Sequence, residues 1–120
     1  MPGVQLYSLQ MGAGREQLTE TAGFESIVDL GDRLGDFYET AAAVSNLDLV
    51  ISCDSSPAHL AGALGIPVWV ALSTACDWRW MLGRSDSPWY PTMRLFRQKR
   101  AGDWVSVFDE IKSSLRAHLP

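Results

Sequence analysis

Short apolar runs alternate along the chain with longer stretches in which apolar residues recur at helical spacing. The short runs predict strands at residues 4–9, 26–29, 47–53, 68–72 and 93–96. The helical stretches predict helices at residues 15–21, 36–45, 57–64 and 103–118. Strands that alternate with helices pair in parallel through right-handed crossovers. We therefore expect an α/β fold, a Rossmann-like sandwich of three layers with a mostly parallel sheet of about five strands.

The longest predicted helix starts after Asp103, whose side chain is suited to capping the first turn. Such a helix packs against a core when its apolar residues lie on one face. Here that stripe consists of Trp104, Val107, Phe108, Ile111 and Leu115. We interpret this helix as a packing element and Trp69, inside a predicted strand, as a core residue.

The composition is that of an ordinary globular domain, with 47% apolar and 20% charged residues among 120. We expect one domain that spans residues 1–120. A net charge of −4 argues against a protein that binds duplex nucleic acid through its phosphates. The chain has no apolar stretch long enough to span a bilayer and no secretory leader pattern, so we expect a cytoplasmic location. Two cysteines without paired spacing predict reduced thiols and no metal site.

Charge is distributed unevenly between the two halves of the chain. Residues 1–60 carry a net charge of −7, whereas residues 61–120 carry +3. The densest basic cluster contains Arg94, Arg97, Lys99 and Arg100. Such a cluster could lie near a bound anion, or it could simply be a solvated surface.

The turn after the third predicted strand has the pattern of a helix start. Ser56 is a suitable N-cap, Pro57 suits the first helical position, and Gly65 can end the helix in the left-handed conformation. In open parallel sheets, ligands collect where the strands end at their carboxyl side. This turn is therefore the first place to look for a binding site.

Hydrogen-bond donors and one acceptor in this turn suit a sugar phosphate or a nucleotide sugar. The N–H groups of residues 58–60 are expected to be free and to face a phosphate. Ser55, Ser56 and His59 add side-chain donors, whereas Asp54 would accept from sugar hydroxyls. The candidate site consists of Asp54, Ser55, Ser56, Ala58 and His59. The alternative is that the turn only caps a crossover helix, with His59 an ordinary first-turn residue.

A tryptophan-rich loop follows the fourth predicted strand and contains Trp78, Arg79, Trp80, Trp89 and Tyr90. An indole ring could stack on a nucleobase or a sugar, and Arg79 could neutralise a phosphate. The alternative is a small local core in which the aromatic rings bury one another and Arg79 stacks on one of them. A functional role requires that this loop border the turn at residues 54–59.

The segment ISCDSSPAHLAGALGIPVWV resembles the donor-binding segment of family 9 glycosyltransferases, the heptosyltransferase group. The pattern of that family is Asp-Ser/Thr-Gly-Pro-x-His, followed by an Ala-rich helix and Gly-x-Pro. The segment DWRWMLGRSDSPWYPTMRLFRQ, with YSLQ near the start, is similar to glycosyltransferase-like domains at the carboxyl end of bacterial tetratricopeptide-repeat proteins. The resemblance implies one carboxyl-terminal lobe of the two-lobed GT-B fold.

The resemblance also implies roles for individual residues. Asp54 would bind the donor sugar, while Ser55, Ser56 and His59 would hold the pyrophosphate, and Gln10 would face the same crevice. Trp78, Arg79 and Trp80 are candidates for contacts to phosphate or base. The partner would be a nucleotide sugar as substrate, with no cofactor. No general base is evident, so we expect the lobe to be inactive alone and to transfer a hexosyl or heptosyl group only with an acceptor lobe.

The chain departs from the family pattern in two places. Ser56 stands where the family usually has Gly. A side chain is therefore present at the position where the backbone would come closest to the phosphate. The family's lobe also has a central apolar strand ahead of YSLQ that this sequence does not contain. We expect residues 4–9 to pair with residues 47–53, or the sheet to recruit backbone partners from another chain, which would give a dimer. The expected protein partner is the missing amino-terminal lobe or a second copy of the chain. The alternative function is a degenerate scaffold or dimerisation module without donor binding.

Overall fold

The computed structural model, which describes residues 3–24, 26–76, 78–81 and 83–119, has an α/β fold with two parallel sheets. A two-stranded sheet pairs β1 with β2, and a three-stranded sheet has the order β3-β4-β5. The strands are β1 (Tyr7–Ser8), β2 (Val28–Asp29), β3 (Val50–Ser52), β4 (Val68–Leu72) and β5 (Met93–Arg97). The predicted α/β fold is confirmed, and the single sheet of about five strands stays a prediction.

The chain divides into two compact units, Met1–Ala43 and Val44–Pro120. The first unit contains β1, α1 (Gln17–Glu20), β2 and most of α2 (Phe37–Val44). An ionic cluster stabilises the loop after β2, because the Arg15 guanidinium donates to Asp29 at 2.9 Å and to Asp32 at 2.7 Å. The hydrogen bond from Arg15 lowers the pKa of the Asp32 carboxyl below its ordinary value.

The second unit contains β3, α3 (Ser56–Ala63), β4, β5 and α4 (Trp104–His118). All five residues of β4 are buried, as expected for a central strand covered on both faces. On one face, Trp69 and Ala71 of β4 pack with Phe96 of β5 and with Val107 and Ile111 of α4. This cluster is the core that fixes α4 on the sheet.

The two outer edges of the three-stranded sheet differ. Residues of the loop that precedes β5 cover part of that strand, because the Leu95 N–H donates to the Ser85 carbonyl at 2.8 Å and Asp86 forms an antiparallel bridge with Arg94. On the opposite side, β3 pairs with β4 and with no second strand among the described residues of the second unit. An unpaired strand edge can accept another strand.

Helix α4 begins as predicted but does not bury its whole apolar stripe. The Asp103 carboxylate caps the helix by accepting from the Ser106 N–H at 3.2 Å and from its hydroxyl at 2.6 Å, which lowers the pKa of Asp103. Trp104 and Phe108 remain 38% and 55% exposed. The interpretation of α4 as a packing element alone is therefore incomplete.

Candidate functional site

The turn between β3 and α3 follows the carboxyl end of β3, as predicted. The N-cap of α3 is Ser55, in an extended conformation, rather than the predicted Ser56, and Pro57 lies in the first turn. At the other end, Gly65 adopts a left-handed conformation with φ 73°, and its N–H donates to the Gly62 carbonyl at 3.1 Å. The predicted helix end is confirmed, whereas the helix start lies one residue earlier than predicted.

This earlier start changes which N–H groups are available. The N–H groups of Ala58 and His59 both donate to the Ser55 carbonyl, at 3.1 Å and 3.4 Å. They are not free, contrary to the expectation, because a cap at Ser55 places them inside the first bonded turn. The Ser55 hydroxyl is also engaged, since its Oγ lies 2.9 Å from Oγ of Ser52. Of the two serines in the candidate site, Ser56 is the exposed one.

His59 lies at the centre of a polar cluster that joins α3 to the tryptophan-rich loop. Its Nε2 lies 3.4 Å from Oδ1 of Asp54, and its Nδ1 lies 3.2 Å from the hydroxyl oxygen of Tyr90. The face of the imidazole lies against the ring of Trp80, with centroids 5.2 Å apart and planes tilted by 30°. The side chains of Asp54 and His59 are 40% and 29% exposed, so the cluster is open to solvent at the Asp54 end.

The loop therefore borders the predicted site, which is the condition that a functional role for the loop requires. Trp80 is 1% exposed and forms the floor beneath His59. Its indole Nε1 is buried and has no hydrogen-bond partner in the described part of the chain. A buried donor of this kind is uncommon in folded proteins and marks a group that a water molecule or ligand oxygen can satisfy.

The contact between Tyr90 and α3 depends on a glycine. A Cβ placed on Gly62 would lie only 2.6 Å from Cγ of Tyr90, so the absence of a side chain allows the phenol ring to pack against the helix. The backbone before the ring is fixed as well, because the Ser87 hydroxyl accepts from the N–H groups of Trp89 and Tyr90. The sequence did not reveal the pairing of Tyr90 with His59; Gly62 inside an Ala-rich helix was the available signal for a close approach.

Trp78, Arg79 and Trp89 form an outer aromatic cluster. Trp78 is 70% exposed, with the Arg79 guanidinium 5.2 Å from the centre of its ring. Trp89 stands edge-on to Trp78 at 6.3 Å, and its indole N–H donates to the Arg79 carbonyl at 3.1 Å. The loop thus combines both interpretations of the sequence: Trp80 is buried against His59, while Trp78 and Trp89 present exposed ring surface.

Two of the four residues of the predicted basic cluster, Arg94 and Arg97, are engaged in structural contacts. The Arg97 guanidinium donates to the carbonyls of Arg84 and Trp80 and lies 3.3 Å from Sγ of Cys76, so it holds the tryptophan-rich loop against β5. Arg94 lies over the ring of Phe96 at 4.5 Å. Arg84 itself donates to Asp86 at 2.7 Å, which lowers the pKa of the Asp86 carboxyl. This region is better explained as a clamp for the loop than as an anion site, although Lys99 and Arg100 are exposed.

Gln10, the remaining predicted donor contact, belongs to the first unit. Its side-chain amide donates to the carbonyl of Ala13 at 3.0 Å and to that of Met11 at 3.4 Å. The amide is thus hydrogen-bonded within its own loop. Its predicted role toward the donor stays a prediction.

An apolar groove of about 480 Å³ lies beside the open edge of β3, on the face that α4 covers. Its lining residues are Ile51, Ser52, Cys53, Ala71, Trp104 and Phe108. Ile51 is 41% exposed although it lies next to the core residue Trp69 in the register of the sheet. The groove is therefore unfilled apolar surface that continues the core toward the open edge.

Across residues 3–24, 26–76, 78–81 and 83–119, no group of three or more His, Cys, Asp or Glu side chains could hold a metal ion. Both cysteines are free thiols, with Cys53 exposed and Cys76 partly buried. None of the helices in this described portion is both long and apolar enough to cross a membrane.

The chain is similar to protein FlbA of Caulobacter vibrioides strain ATCC 19089 / CIP 103742 / CB 15, with 34% identity over 119 residues. The alignment covers 96% of this chain but only 20% of FlbA, so the chain corresponds to about a fifth of that protein's length. A comparison with protein-family models gives no match. A comparison with solved structures likewise gives none.

Proposed function

We propose that this chain is the nucleotide-sugar-binding lobe of a bacterial, cytoplasmic glycosyltransferase and is inactive without an acceptor lobe. The observation that carries the proposal is the cluster of Asp54, His59, Trp80 and Tyr90 at the carboxyl end of β3. A half-exposed carboxylate above an aromatic floor, at the ligand-binding edge of a parallel sheet, is an arrangement that suits a sugar. The sequence resemblance assigns the same turn to donor binding.

Exposed residues around this cluster provide further contacts in the proposal. Ser56 lies at the start of α3, where the helix dipole favours a negative group. Trp78 offers an exposed ring for a nucleobase, with the Arg79 guanidinium over it. The alignment supports the interpretation of this chain as one lobe of a larger protein, because a similar segment occurs in FlbA as part of a much longer protein. Residues 3–24, 26–76, 78–81 and 83–119 provide no base placed for an acceptor hydroxyl, so in this proposal transfer needs a second lobe.

The test is calorimetric titration of the chain with UDP-, ADP- and GDP-hexoses and with the matching nucleoside diphosphates. We expect millimolar or tighter binding that Asp54→Ala and His59→Ala weaken by roughly 10-fold or more, because a hydrogen bond to a charged group contributes about 1.5–3 kcal/mol. The matched controls are Asp109→Ala and His118→Ala, which change the same residue types at exposed positions of α4. If no nucleotide binds at millimolar concentration, the donor-binding proposal is wrong.

A second candidate function is a degenerate scaffold that dimerises without binding a donor. The open edge of β3 and the apolar groove beside it favour this alternative, because both are surfaces that a further strand and its side chains would cover. In this alternative the occupant is a second copy of the chain. In the first proposal it is a strand of the missing lobe.

Light scattering after size exclusion distinguishes the two occupants. If a second copy covers the groove, the wild-type chain has the mass of a dimer, and Ile51→Lys or Phe108→Lys returns it to a monomer because either change places a charge in the apolar groove. Val105→Lys is the control, since Val105 lies on α4 at 74% exposure and does not line the groove. A wild-type chain that is strictly monomeric contradicts dimerisation.

A further inference from the structure

We infer that Tyr90 is a positioning residue that acts through His59 to orient the Asp54 carboxylate toward the hydroxyl groups of a sugar. This inference rests on the donor-binding function proposed above and keeps Asp54 as the residue that contacts the donor sugar. It also assigns His59 a different role. The resemblance implies that His59 holds the pyrophosphate, whereas in this inference His59 positions Asp54. Each of the two ring nitrogens of His59 contacts a different residue.

In a neutral His59 ring, the contacts of the two nitrogens select one tautomer. An ionised carboxylate can only accept hydrogen bonds, so the contact between Nε2 and Oδ1 of Asp54 at 3.4 Å requires the proton on Nε2. In the neutral ring Nδ1 then carries no proton, and the Tyr90 hydroxyl at 3.2 Å donates to it. The hydrogen bonds therefore run in one direction, from Tyr90 through His59 to Asp54.

This network is held from three sides. The Tyr90 ring packs on Gly62, where no side chain intervenes, and its backbone N–H is fixed by Ser87. Trp80 supports the face of the imidazole at 5.2 Å between centroids. A ring with both edges and one face occupied has little freedom to rotate, so the orientation of Asp54 Oδ1 is set by residues 31 positions apart in sequence.

At Asp54 and His59, the same contacts leave an acceptor rather than a donor available to a ligand. Both nitrogens of His59 are engaged within the protein, and the N–H groups of Ala58 and His59 donate to the Ser55 carbonyl. The Asp54 carboxylate is 40% exposed, and only Oδ1 meets His59, which leaves Oδ2 to accept from a ligand. Sugar hydroxyls donate to such an oxygen, whereas phosphate oxygens are repelled by it. The structure thus favours the sugar half of a nucleotide sugar at Asp54.

The first arm of the test reads the tautomer directly, by long-range ¹H–¹⁵N NMR of the two histidine rings in the full chain. We expect His59 to show one protonated nitrogen, Nε2, and an Nδ1 that accepts a hydrogen bond, with exposed His118 as the internal reference. Tyr90→Phe keeps the ring on Gly62 but removes the donor, so the Nδ1 resonance shifts. Tyr38→Phe, at a tyrosine that is 82% exposed, leaves it unchanged.

The second arm compares UDP-glucose with UDP, and ADP-glucose with ADP, on the wild-type chain and on Tyr90→Phe. We expect Tyr90→Phe to weaken the binding of the sugar nucleotide by roughly 3- to 10-fold, the effect of one lost hydrogen bond. The affinity for the nucleoside diphosphate should not change. If the His59 ring is protonated on Nδ1, the inference is wrong but the proposed function still stands. The same holds if Tyr90→Phe lowers the affinity for both kinds of ligand equally. Failure of the wild-type chain to bind any nucleotide sugar or nucleoside diphosphate of the calorimetric titration, GDP-hexoses included, overturns the proposed function as well.

Discussion

Trp80→Ala is expected to lower the free energy of unfolding by about 3–5 kcal/mol, the range for truncating a large buried aromatic side chain. Trp80 is 1% exposed and is the largest of the fully buried side chains in the described chain. Its ring supports His59, and its carbonyl accepts from the Arg97 guanidinium. Truncation leaves a cavity between α3 and the loop, because the well-anchored Tyr90 and Arg97 cannot collapse into it without breaking their own contacts. Urea denaturation followed by far-ultraviolet circular dichroism measures the loss.

Two further variants separate burial from other roles of the indole. Trp80→Phe keeps most of the apolar ring and removes an N–H that has no acceptor in the described part of the chain. It should therefore lower the free energy of unfolding by less than half as much as Trp80→Ala does. Trp78→Ala removes a ring that is 70% exposed and should change stability by less than about 0.5 kcal/mol. Equal losses for Trp78→Ala and Trp80→Ala would contradict the burial argument.

The parts of the fold that local patterns control were predictable from the sequence. The continuous apolar run at residues 68–72 predicted β4 with its observed bounds, because a central strand is apolar on both faces. Asp103 and Gly65 fixed a helix start and a helix end through their capping chemistry. These features depend on neighbouring residues alone and do not need the tertiary structure.

Features that depend on distant contacts were predicted less well. The apolar runs at residues 4–9 and 47–53 predicted long strands, whereas β1 and β3 contain two and three residues, because a strand extends only where a partner continues to pair with it. The cap at Ser55 instead of Ser56 was ambiguous because both residues are serine. Such neighbours are equally suited to capping, and tertiary packing decides between them.

The candidate site shows the same division. The turn at residues 54–59 follows β3 as predicted, since parallel strands direct their ends to one edge. The hydrogen bond between His59 and Tyr90 joins helix α3 to the tryptophan-rich loop, and no periodicity in the sequence indicates it. The free N–H groups predicted at Ala58 and His59 were lost through a shift of one residue in the cap. A shift of the N-cap by one residue therefore changes which N–H groups are free, although it does not move the turn away from the carboxyl end of β3.

Gly62→Ala is expected to destabilise the chain although alanine is the better helix former. In an unhindered helix, replacing glycine by alanine stabilises by about 1 kcal/mol. At Gly62 the new Cβ would meet Cγ of Tyr90 at 2.6 Å and Cδ1 at 2.8 Å, so the phenol ring must move away from α3. Overpacking of this kind costs roughly 1–3 kcal/mol, which offsets the gain in helix propensity. The displaced ring also loses its hydrogen bond to His59, so sugar-nucleotide affinity should fall together with stability.

A double-mutant cycle tests this prediction, because the sign of the stability change caused by Gly62→Ala should depend on whether the Tyr90 ring is present. In the Tyr90→Ala background the space above Gly62 is empty, and Gly62→Ala should then stabilise by up to about 1 kcal/mol through helix propensity. Chemical denaturation of the wild type, both single variants and the double variant measures the coupling. If Gly62→Ala destabilises equally in both backgrounds, the close approach of the Tyr90 ring to α3 is not the cause, and the packing that holds His59 must be sought elsewhere.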